Sequence, residues 1–352
     1  MNEDSPVIES QKKSSVLGKL SKLLAILVIL GFIVVGAAFF YSVQYFTGHG
    51  SLNEEKIVDI PEGSSLKAIA AKLADENVIS YPEIFTAWIR ITKPEKTMKA
   101  GQYRFEANIS PEAVFHKLEQ GDVIKYSLTI PEGLMTSQII KLINEAPNMS
   151  GKITSDVKEG ELLPETYEYT HNYDRQKLVE RMKASMQKAL DEAWEKRADN
   201  LPIKSKEEAL ILASIIEKET GVSSERERVA GVFINRLNKG MRLQTDPTVI
   251  YAITKGEYVL ERLLSRKDLK SDSPYNTYEN FGLPPTPIAN PGKKSVEAAL
   301  NPMQTDEYYF VADGTGGHKF SATLKEHNKA VQKWRKISRE NKEKSNQQDV
   351  SN

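Results

Sequence analysis

One carboxyl-bearing helix is the most suggestive chemical feature of this 352-residue chain. Residues 207–220 read EEALILASIIEKET, which is apolar nearly all round at helical spacing and is typical of a helix buried in the middle of a domain. Glu219 continues the apolar stripe of Leu212 and Ile216. A carboxyl in apolar surroundings has a raised pKa and can serve as a general acid near neutral pH. The alternative is that Glu219 lies near the helix end and simply reaches solvent.

A second carboxyl, Glu217, precedes Glu219 on the same helix but on a different face. Side chains two positions apart on a regular helix cannot grip one substrate atom together, so the pair does not predict a two-carboxylate centre. We therefore expect Glu217 to support the site rather than to share its chemistry.

Polar and aromatic residues in irregular segments form a second candidate set. Aromatic faces beside amide and hydroxyl groups suit sugar rings, which makes these residues candidates for substrate binding. The alternative is that they satisfy loop backbone, as Asn, Asp and Thr commonly do. The set comprises Gln244, Thr245, Asp246, Tyr275, Asn276 and Tyr278.

Composition excludes several classes of function. The chain has 48 basic and 48 acidic residues, and this zero net charge does not suggest a nucleic-acid partner. It has no Cys, which removes thiol nucleophiles and zinc–thiolate sites. None of the 5 His residues has a metal-ligand spacing such as HExxH, so we expect neither a metal nor a cofactor.

Capping residues predict the helices that position the candidate acid. Ser205 with Glu208 fits a capping box at the start of the apolar helix, and Gly221 lies where a C-terminal glycine is expected. A second capping box at Ser224–Glu227 opens another helix, which gives an αα-hairpin. Asp246 is expected to cap a third helix. Other expected elements are a helix at 174–194, a long irregular loop at 273–292, a strand at 307–312 and a helix at 324–334.

The motif Ile-Pro-Glu-Gly occurs twice, at Ile60–Gly63 and at Ile130–Gly133. Each copy follows a strand-like alternation and precedes an amphipathic helical pattern. We interpret the copies as paired βα elements of one small module spanning residues 53–149. Residues 150–338 then form a second, mixed α/β domain around the buried helix, and the overall class is α+β.

The segment from Leu23 to Tyr41 carries no charged residue and is long enough for a membrane helix, which we place at residues 23–45. A cleaved signal peptide is the alternative, but its apolar region is shorter. Four Lys residues precede the segment, and none follows before Lys56. Lys and Arg concentrate in cytoplasmic flanks, so residues 1–22 form a cytoplasmic tail and the chain beyond the helix lies outside the cytoplasm. Residues 339–352 read as a disordered tail.

The segment from Ala213 to Ala252, ASIIEKETGVSSERERVAGVFINRLNKGMRLQTDPTVIYA, closely resembles the endolytic murein transglycosylase family, the YceG-like proteins. The same holds for Tyr275–Tyr278, Gly282–Pro285 and Ile288–Gly292. It also holds for Tyr309–Gly314 followed by Gly317 and His318. The resemblance spans the chain from the membrane helix to about Trp334.

This resemblance implies a single-pass anchor in the cytoplasmic membrane, a LysM-like module and a catalytic domain in the periplasm or on the outer face. The family's catalytic glutamate falls on Glu219, and Glu217 has a supporting place. The implied substrate is the β-1,4 bond between N-acetylmuramic acid and N-acetylglucosamine in nascent peptidoglycan, cleaved to a 1,6-anhydro end. Cell-wall synthases are expected partners.

Two other functions remain open on the sequence. The first is a hydrolytic muramidase in which Glu219 works with a second carboxylate such as Asp246. The second is a non-catalytic wall-binding module, which would leave the buried glutamate and the long loop unexplained.

Overall fold

The computed structural model describes the backbone of residues 14–351 and the side chains of residues 18–340. The described chain is mixed α+β, as the sequence predicts. It divides into two compact units, residues 1–125 and 126–352. The predicted cytoplasmic tail lies outside the described residues as far as position 13.

Helix α1, Ser14–Thr47, contains the predicted membrane segment. Its stretch Gly18–Thr47 is long and apolar enough to cross a membrane, and the window that meets this test has none of its residues buried within the protein. Exposed Leu, Ile, Val and Phe side chains cover the stretch. Such a surface is unfavourable in water and suits a hydrocarbon environment.

The first unit continues with two strands and three helices. Strand β1 pairs antiparallel with β2, with Lys56 opposite Phe105 and Ile60 opposite Gly101. Leu73, Phe85 and Phe115 are among its fully buried side chains. The elements are β1 (Lys56–Ile60), α2 (Leu66–Asp75), α3 (Pro82–Thr92), β2 (Gly101–Phe105) and α4 (Pro111–Gln120).

The first half of the second unit consists of short strands and two helices. Strand β3 pairs with β5, and β4 pairs with β6 in parallel. The elements are β3 (Lys125–Thr129), α5 (Thr136–Glu145), β4 (Met149–Ser150), β5 (Thr166–Thr170), β6 (Tyr173–Asp174) and α6 (Arg175–Glu195).

The second half of this unit is mostly helical. Helix α7 is its centre: it packs against α6, α8, α9 and α10, and residues Ile211–Ile216 are buried. Strands β7 and β8 form an antiparallel hairpin in which Ala312 faces His318. The elements are α7 (Lys206–Glu219), α8 (Arg226–Asn238), α9 (Asp246–Thr254), α10 (Lys293–Leu300), β7 (Tyr309–Ala312), β8 (His318–Ser321) and α11 (Leu324–Ser351), with 3-10 turns at Ser223–Glu225 and Asp268–Lys270.

The expected module of residues 53–149 is not one compact unit. The first Ile-Pro-Glu-Gly copy follows β1 in the first unit, whereas the second follows β3 in the second unit. Their strands do not pair with each other, because β1 pairs with β2 and β3 with β5. The division therefore falls at Lys125, and the expected domain of residues 150–338 begins earlier, at Tyr126.

Three local expectations also differ from the structure. A 3-10 turn at Ser223–Glu225 replaces the second capping box, and Glu225 precedes α8 without a side-chain cap. The residue before α9 is Thr245, and Asp246 is its first helical residue. The tail from residue 339, expected to be disordered, continues α11 to Ser351, whereas Asn352 lies outside the described residues.

Candidate active site

Helix α7 delivers Glu219 as its last residue. The Ser205 side chain accepts a hydrogen bond from the Glu208 backbone N–H, which fixes where the helix begins. Buried apolar residues on several faces hold the helix in the centre of the unit, as its sequence predicts. The next residue, Thr220, has extended backbone, so the chain leaves the helix directly after Glu219.

The Glu219 carboxyl is enclosed although the residue as a whole keeps some exposed surface. The Thr245 hydroxyl donates a hydrogen bond to Glu219 Oε1. Burial raises the pKa of Glu219 to about 7, and the negative charge of Asp246 adds to this effect. The Thr245 hydrogen bond opposes it, as do the electrostatic effects of His318 and Arg236. The apolar stripe therefore led to the right electrostatic expectation: this carboxyl can hold a proton near neutrality.

Two irregular segments meet beside this carboxyl. Gln244 adopts a left-handed backbone, with φ of 51°, and its N–H donates to the Thr277 carbonyl at 3.1 Å. The Thr245 N–H donates to Thr277 Oγ1 at 3.1 Å. The Tyr278 hydroxyl donates to Asp246 Oδ1 at 2.6 Å. Thr245, Asp246 and Tyr278 are thus brought together at Glu219, with exposed Gln244 adjoining them.

Asn276 holds the loop and has no free amide for a ligand. It is fully buried. Its Nδ2 donates to the carbonyls of Ser271 at 2.8 Å and Leu269 at 3.1 Å, and its Oδ1 accepts from the Tyr278 N–H at 3.0 Å. The geometry favours the structural alternative for this residue, because these bonds shape the loop that presents Tyr278.

Tyr275 is placed against helix α9. Its ring centroid lies 5.0 Å from that of Tyr251, and its hydroxyl lies 2.8 Å from Thr286 Oγ1. None of these contacts involves Glu219, so Tyr275 does not join the group around the carboxyl. Its ring supports the packing of the long loop on α9.

Glu217 faces away from the Glu219 group and is almost fully buried, with 5% of its side chain exposed. Its Oε1 accepts from the Arg226 guanidinium at 3.3 Å, and its Oε2 accepts from the Gly292 N–H at 2.9 Å. The same guanidinium nitrogen donates to Glu132 Oε2 at 3.0 Å. Glu217 therefore fastens the last turn of α7 to two neighbouring segments.

Three side chains near the carboxyl were not selected from the sequence. Arg236 is buried on α8 and donates to the carbonyls of Tyr308 at 2.6 Å and Leu243 at 2.7 Å. His318 was considered as a metal ligand and as part of a family motif but was given no role, and Glu225, its partner, was not considered. Arg236 could have been identified from the sequence, because it is a charged residue among the apolar positions of α8, which include Phe233 and Leu237.

A cavity of about 740 Å³ lies between the β7–β8 hairpin and α11, and its lining, which includes Lys319 and Trp334, does not include Glu219. The group around the Glu219 carboxyl therefore lies outside this cavity and forms a separate candidate site. Among the described residues, no cluster of three or more His, Asp or Glu side chains could hold a metal ion.

Comparisons with known proteins give consistent matches. Residues 58–333 match the model of the YceG-like family. The endolytic murein transglycosylase of Bacillus subtilis (strain 168) is 34% identical over 335 residues, which cover 86% of this chain and 91% of that protein. The protein of the same name from Streptococcus pneumoniae (strain D39) is 30% identical over 313 residues, or 76% of this chain and 56% of that one. A crystal structure of a yceG-like protein from Listeria monocytogenes is 33% identical, covers 79% of this chain and 99% of that one, and gives a TM-score of 0.48.

Proposed function

The chain belongs to the YceG-like family, and we propose that it is a membrane-anchored, endolytic lytic transglycosylase of peptidoglycan. The relatives from Bacillus subtilis and Streptococcus pneumoniae carry the name endolytic murein transglycosylase. One observation supports this reaction above all others: the enclosed Glu219 carboxyl, whose pKa is raised to about 7. A carboxyl of this acidity can donate a proton at neutral pH.

The proposed reaction cleaves the β-1,4 bond between N-acetylmuramic acid and N-acetylglucosamine. Glu219 gives its proton to the glycosidic oxygen, and the bond from that oxygen to the anomeric carbon breaks. The 6-hydroxyl of the muramoyl residue attacks the same carbon and loses its proton, which leaves a 1,6-anhydro end. No water is consumed. The carboxylate that Glu219 becomes is able to take this second proton, so one residue is sufficient, whereas most glycosidases need two carboxylates.

The surroundings of Glu219 suit a sugar. Tyr278 is partly exposed, and Gln244 and Asp246 are exposed beside it. An aromatic ring with neighbouring amide and carboxylate groups can contact both the apolar face and the hydroxyls of a pyranose. We therefore assign Gln244, Asp246 and Tyr278 to glycan binding, and Thr245 to holding the acid.

The rest of the chain attaches the enzyme to the membrane and places it near its proposed substrate. We propose that α1 crosses the cytoplasmic membrane with the N-terminus inside, because the Lys residues precede the apolar stretch. The chain beyond α1 then lies outside the cytoplasm, where nascent glycan strands are assembled. The β1–α2–α3–β2 order of the first unit is compatible with a LysM-like glycan-binding module. Cutting nascent strands would limit their length and bring the enzyme near cell-wall synthases.

The direct test of the acid is Glu219→Gln in the purified full-length protein. Gln keeps the shape and can still accept the Thr245 hydrogen bond, but it cannot donate the transferred proton. We expect cleavage of isolated glycan strands to fall by at least about 10²–10⁴-fold, the usual contribution of general acid–base catalysis. The melting temperature should stay close to that of the unaltered protein. Near-normal turnover would remove Glu219 from the mechanism.

A hydrolytic muramidase is the second candidate. Asp246 lies close enough to Glu219 for its negative charge to raise the pKa of that carboxyl after the larger effect of burial. A second carboxylate in this position could activate a water molecule. The two reactions share the acid and differ in the product, since hydrolysis adds a water that the anhydro end lacks.

A further inference from the structure

A histidine–carboxylate pair stands beside the proposed catalytic helix. His318 Nδ1 lies 2.7 Å from Glu225 Oε2, and the His318 backbone N–H donates to Glu225 Oε1 at 2.9 Å. Both side chains are mostly buried, with 15% and 18% exposed. The two contacts fix the position of the histidine relative to the 3-10 turn that carries Glu225.

The hairpin approaches this turn closely at Gly317. A Cβ at Gly317 would lie 2.8 Å from Glu225 Oε1, nearer than side-chain atoms normally come. The rings of Phe310 and Phe320 meet the imidazole edge to face, at centroid distances of 5.3 and 6.2 Å. The imidazole is therefore held on two sides and bonded on a third.

The pair is connected to the end of helix α7. Glu225 Oε2 also lies 3.5 Å from the hydroxyl of Thr220, the residue that directly follows Glu219. The same Thr220 hydroxyl accepts a hydrogen bond from the Val222 N–H at 3.0 Å, which turns the chain from α7 towards Glu225. A short series of contacts thus places His318 at the same helix end as Glu219.

The second ring nitrogen of His318 remains open. Nε2 makes no hydrogen bond with the described residues, and it is not among their sealed, unpartnered polar atoms. When a carboxylate holds Nδ1–H, the neutral imidazole presents Nε2 as a proton acceptor. The Glu225 carboxylate orients this imidazole, and its Nε2 stays available at the helix end that carries the proposed general acid.

We propose that His318 is a second catalytic residue, the base that takes the proton of the muramoyl 6-hydroxyl. This inference rests on the proposed transglycosylase reaction and divides between two side chains the roles that Glu219 alone could fill. Glu219 protonates the glycosidic oxygen and becomes a carboxylate. The C1–O4 bond breaks, O6 bonds to C1, and the O6 proton passes to Nε2. The imidazolium then returns its proton to Glu219, directly or through water, which restores both groups.

Several charged groups act on this imidazole. Glu225 contacts it from the 3-10 turn, Asp313 approaches from the hairpin turn, and Glu219 comes from α7. Arg228 on α8 acts on Glu225, and Arg236, also on α8, acts on Glu219. Carboxylates stabilise the imidazolium that forms as the hydroxyl proton is transferred, which is what a base in this position needs.

The test is His318→Asn in the full-length protein, assayed on isolated glycan strands over a range of pH. The Asn amide can replace Nδ1–H as donor to Glu225, but nothing replaces Nε2. We expect kcat to fall by about 10²–10⁴-fold while KM and the melting temperature change little. The acid limb of the wild-type pH profile, where the base becomes protonated, should disappear. As a matched control, His171→Asn in the β5–β6 turn should retain the activity and both limbs.

The outcomes separate this inference from the proposed function. If the unaltered protein releases anhydro ends and His318→Asn keeps its kcat and acid limb, the one-residue mechanism stands and the inference is wrong. If the unaltered protein releases none, the proposed function itself fails. Should His318→Asn not fold, Glu225→Gln decides: a neutral amide stabilises the imidazolium less, so the acid limb should move to lower pH. An unmoved limb would overturn the inference.

Discussion

The acidity of Glu219 results from two opposing sets of neighbours. Burial has the largest effect and raises its pKa, and the charge of Asp246 acts in the same direction. The Thr245 hydroxyl favours the ionised form because it donates a hydrogen bond to the carboxylate. Adjacent residues on one segment, Thr245 and Asp246, thus change the same pKa in opposite senses.

This opposition predicts opposite pH shifts from two neighbouring substitutions. Glu219 must be protonated to act, so activity should fall as the pH rises through about 7. Thr245→Val removes the hydrogen bond at nearly constant shape and should move this alkaline limb to higher pH. Asp246→Asn removes a negative charge and should move it to lower pH. Profiles of kcat against pH for the three proteins check this, and shifts in the same direction would contradict the assignment of the limb to Glu219.

Periodicity made Glu219 a candidate but could not distinguish the roles of the residues in the long loop. An apolar stripe on a helix states which face is buried, and Glu219 lies on that face. An irregular segment has no such period, so Asn276 and Tyr278 looked equivalent in sequence. In the structure the Asn276 amide donates hydrogen bonds to loop carbonyls, whereas the Tyr278 hydroxyl donates to Asp246 beside Glu219. Only the fold distinguishes these two roles.

At the scale of elements, one arginine joins the catalytic helix to the second Ile-Pro-Glu-Gly turn. Arg226 binds Glu217 of α7 and Glu132 of the turn. Lys218 Nζ donates to the Gly133 carbonyl at 3.2 Å, and the Gly133 N–H donates to the Asn290 carbonyl at 3.0 Å. This turn therefore holds the end of α7 and the segment that precedes α10. These contacts explain why the second Ile-Pro-Glu-Gly copy folds with the second unit and the first copy does not.

The two ion pairs of Arg226 should contribute unequally to the free energy of unfolding. Arg226→Met leaves the buried Glu217 carboxylate without its charge partner, so we expect a loss of about 3–5 kcal/mol in the free energy of unfolding. Arg226→Met combined with Glu217→Gln should recover part of that loss. Glu132→Gln is the matched control, because this carboxylate is 42% exposed and its ion pair is worth about 0–1 kcal/mol. Denaturant titrations measure all four proteins, and equal losses for Arg226→Met and Glu132→Gln would refute the argument.

Local signals predicted the elements better than their grouping. Ser205 marks the start of α7 as predicted, since its side chain accepts a hydrogen bond from the Glu208 N–H. The repeated motif predicted two similar strand–turn–helix segments, and both exist. Strand pairing depends on contacts between residues that are distant in sequence. A motif that occurs twice gives no information about these contacts.

At the scale of the whole molecule, the chain consists of two compact units, the first of which begins with the apolar helix α1. No described residue of the apolar stretch between Leu23 and Tyr41 is charged, and Lys residues precede it. The described residues form three hydrophobic cores: one around Phe85 in the first unit, and one around Ile139 and one around α7 in the second. The sequence predicted the long apolar helix, while the boundary between the two units required the structure.

This arrangement predicts a defined topology. A reporter that is active only in the cytoplasm should be silent when fused after Asn352 and active when fused before Met1, because the Lys-rich flank stays inside. The paired fusions control for expression. Cytoplasmic activity of the C-terminal fusion would show that the chain beyond α1 is not exported, and it would contradict the proposed access to nascent glycan.

The most direct test of the central claim is the mass of the product. The purified full-length protein should be incubated with isolated glycan strands, and the released fragments analysed by mass spectrometry before and after borohydride treatment. Cleavage through Glu219 to an anhydro end predicts fragments one water lighter than hydrolysis products and unchanged by borohydride, and Glu219→Gln should release none. Fragments with reducible ends and the additional water would contradict the account and establish hydrolysis instead.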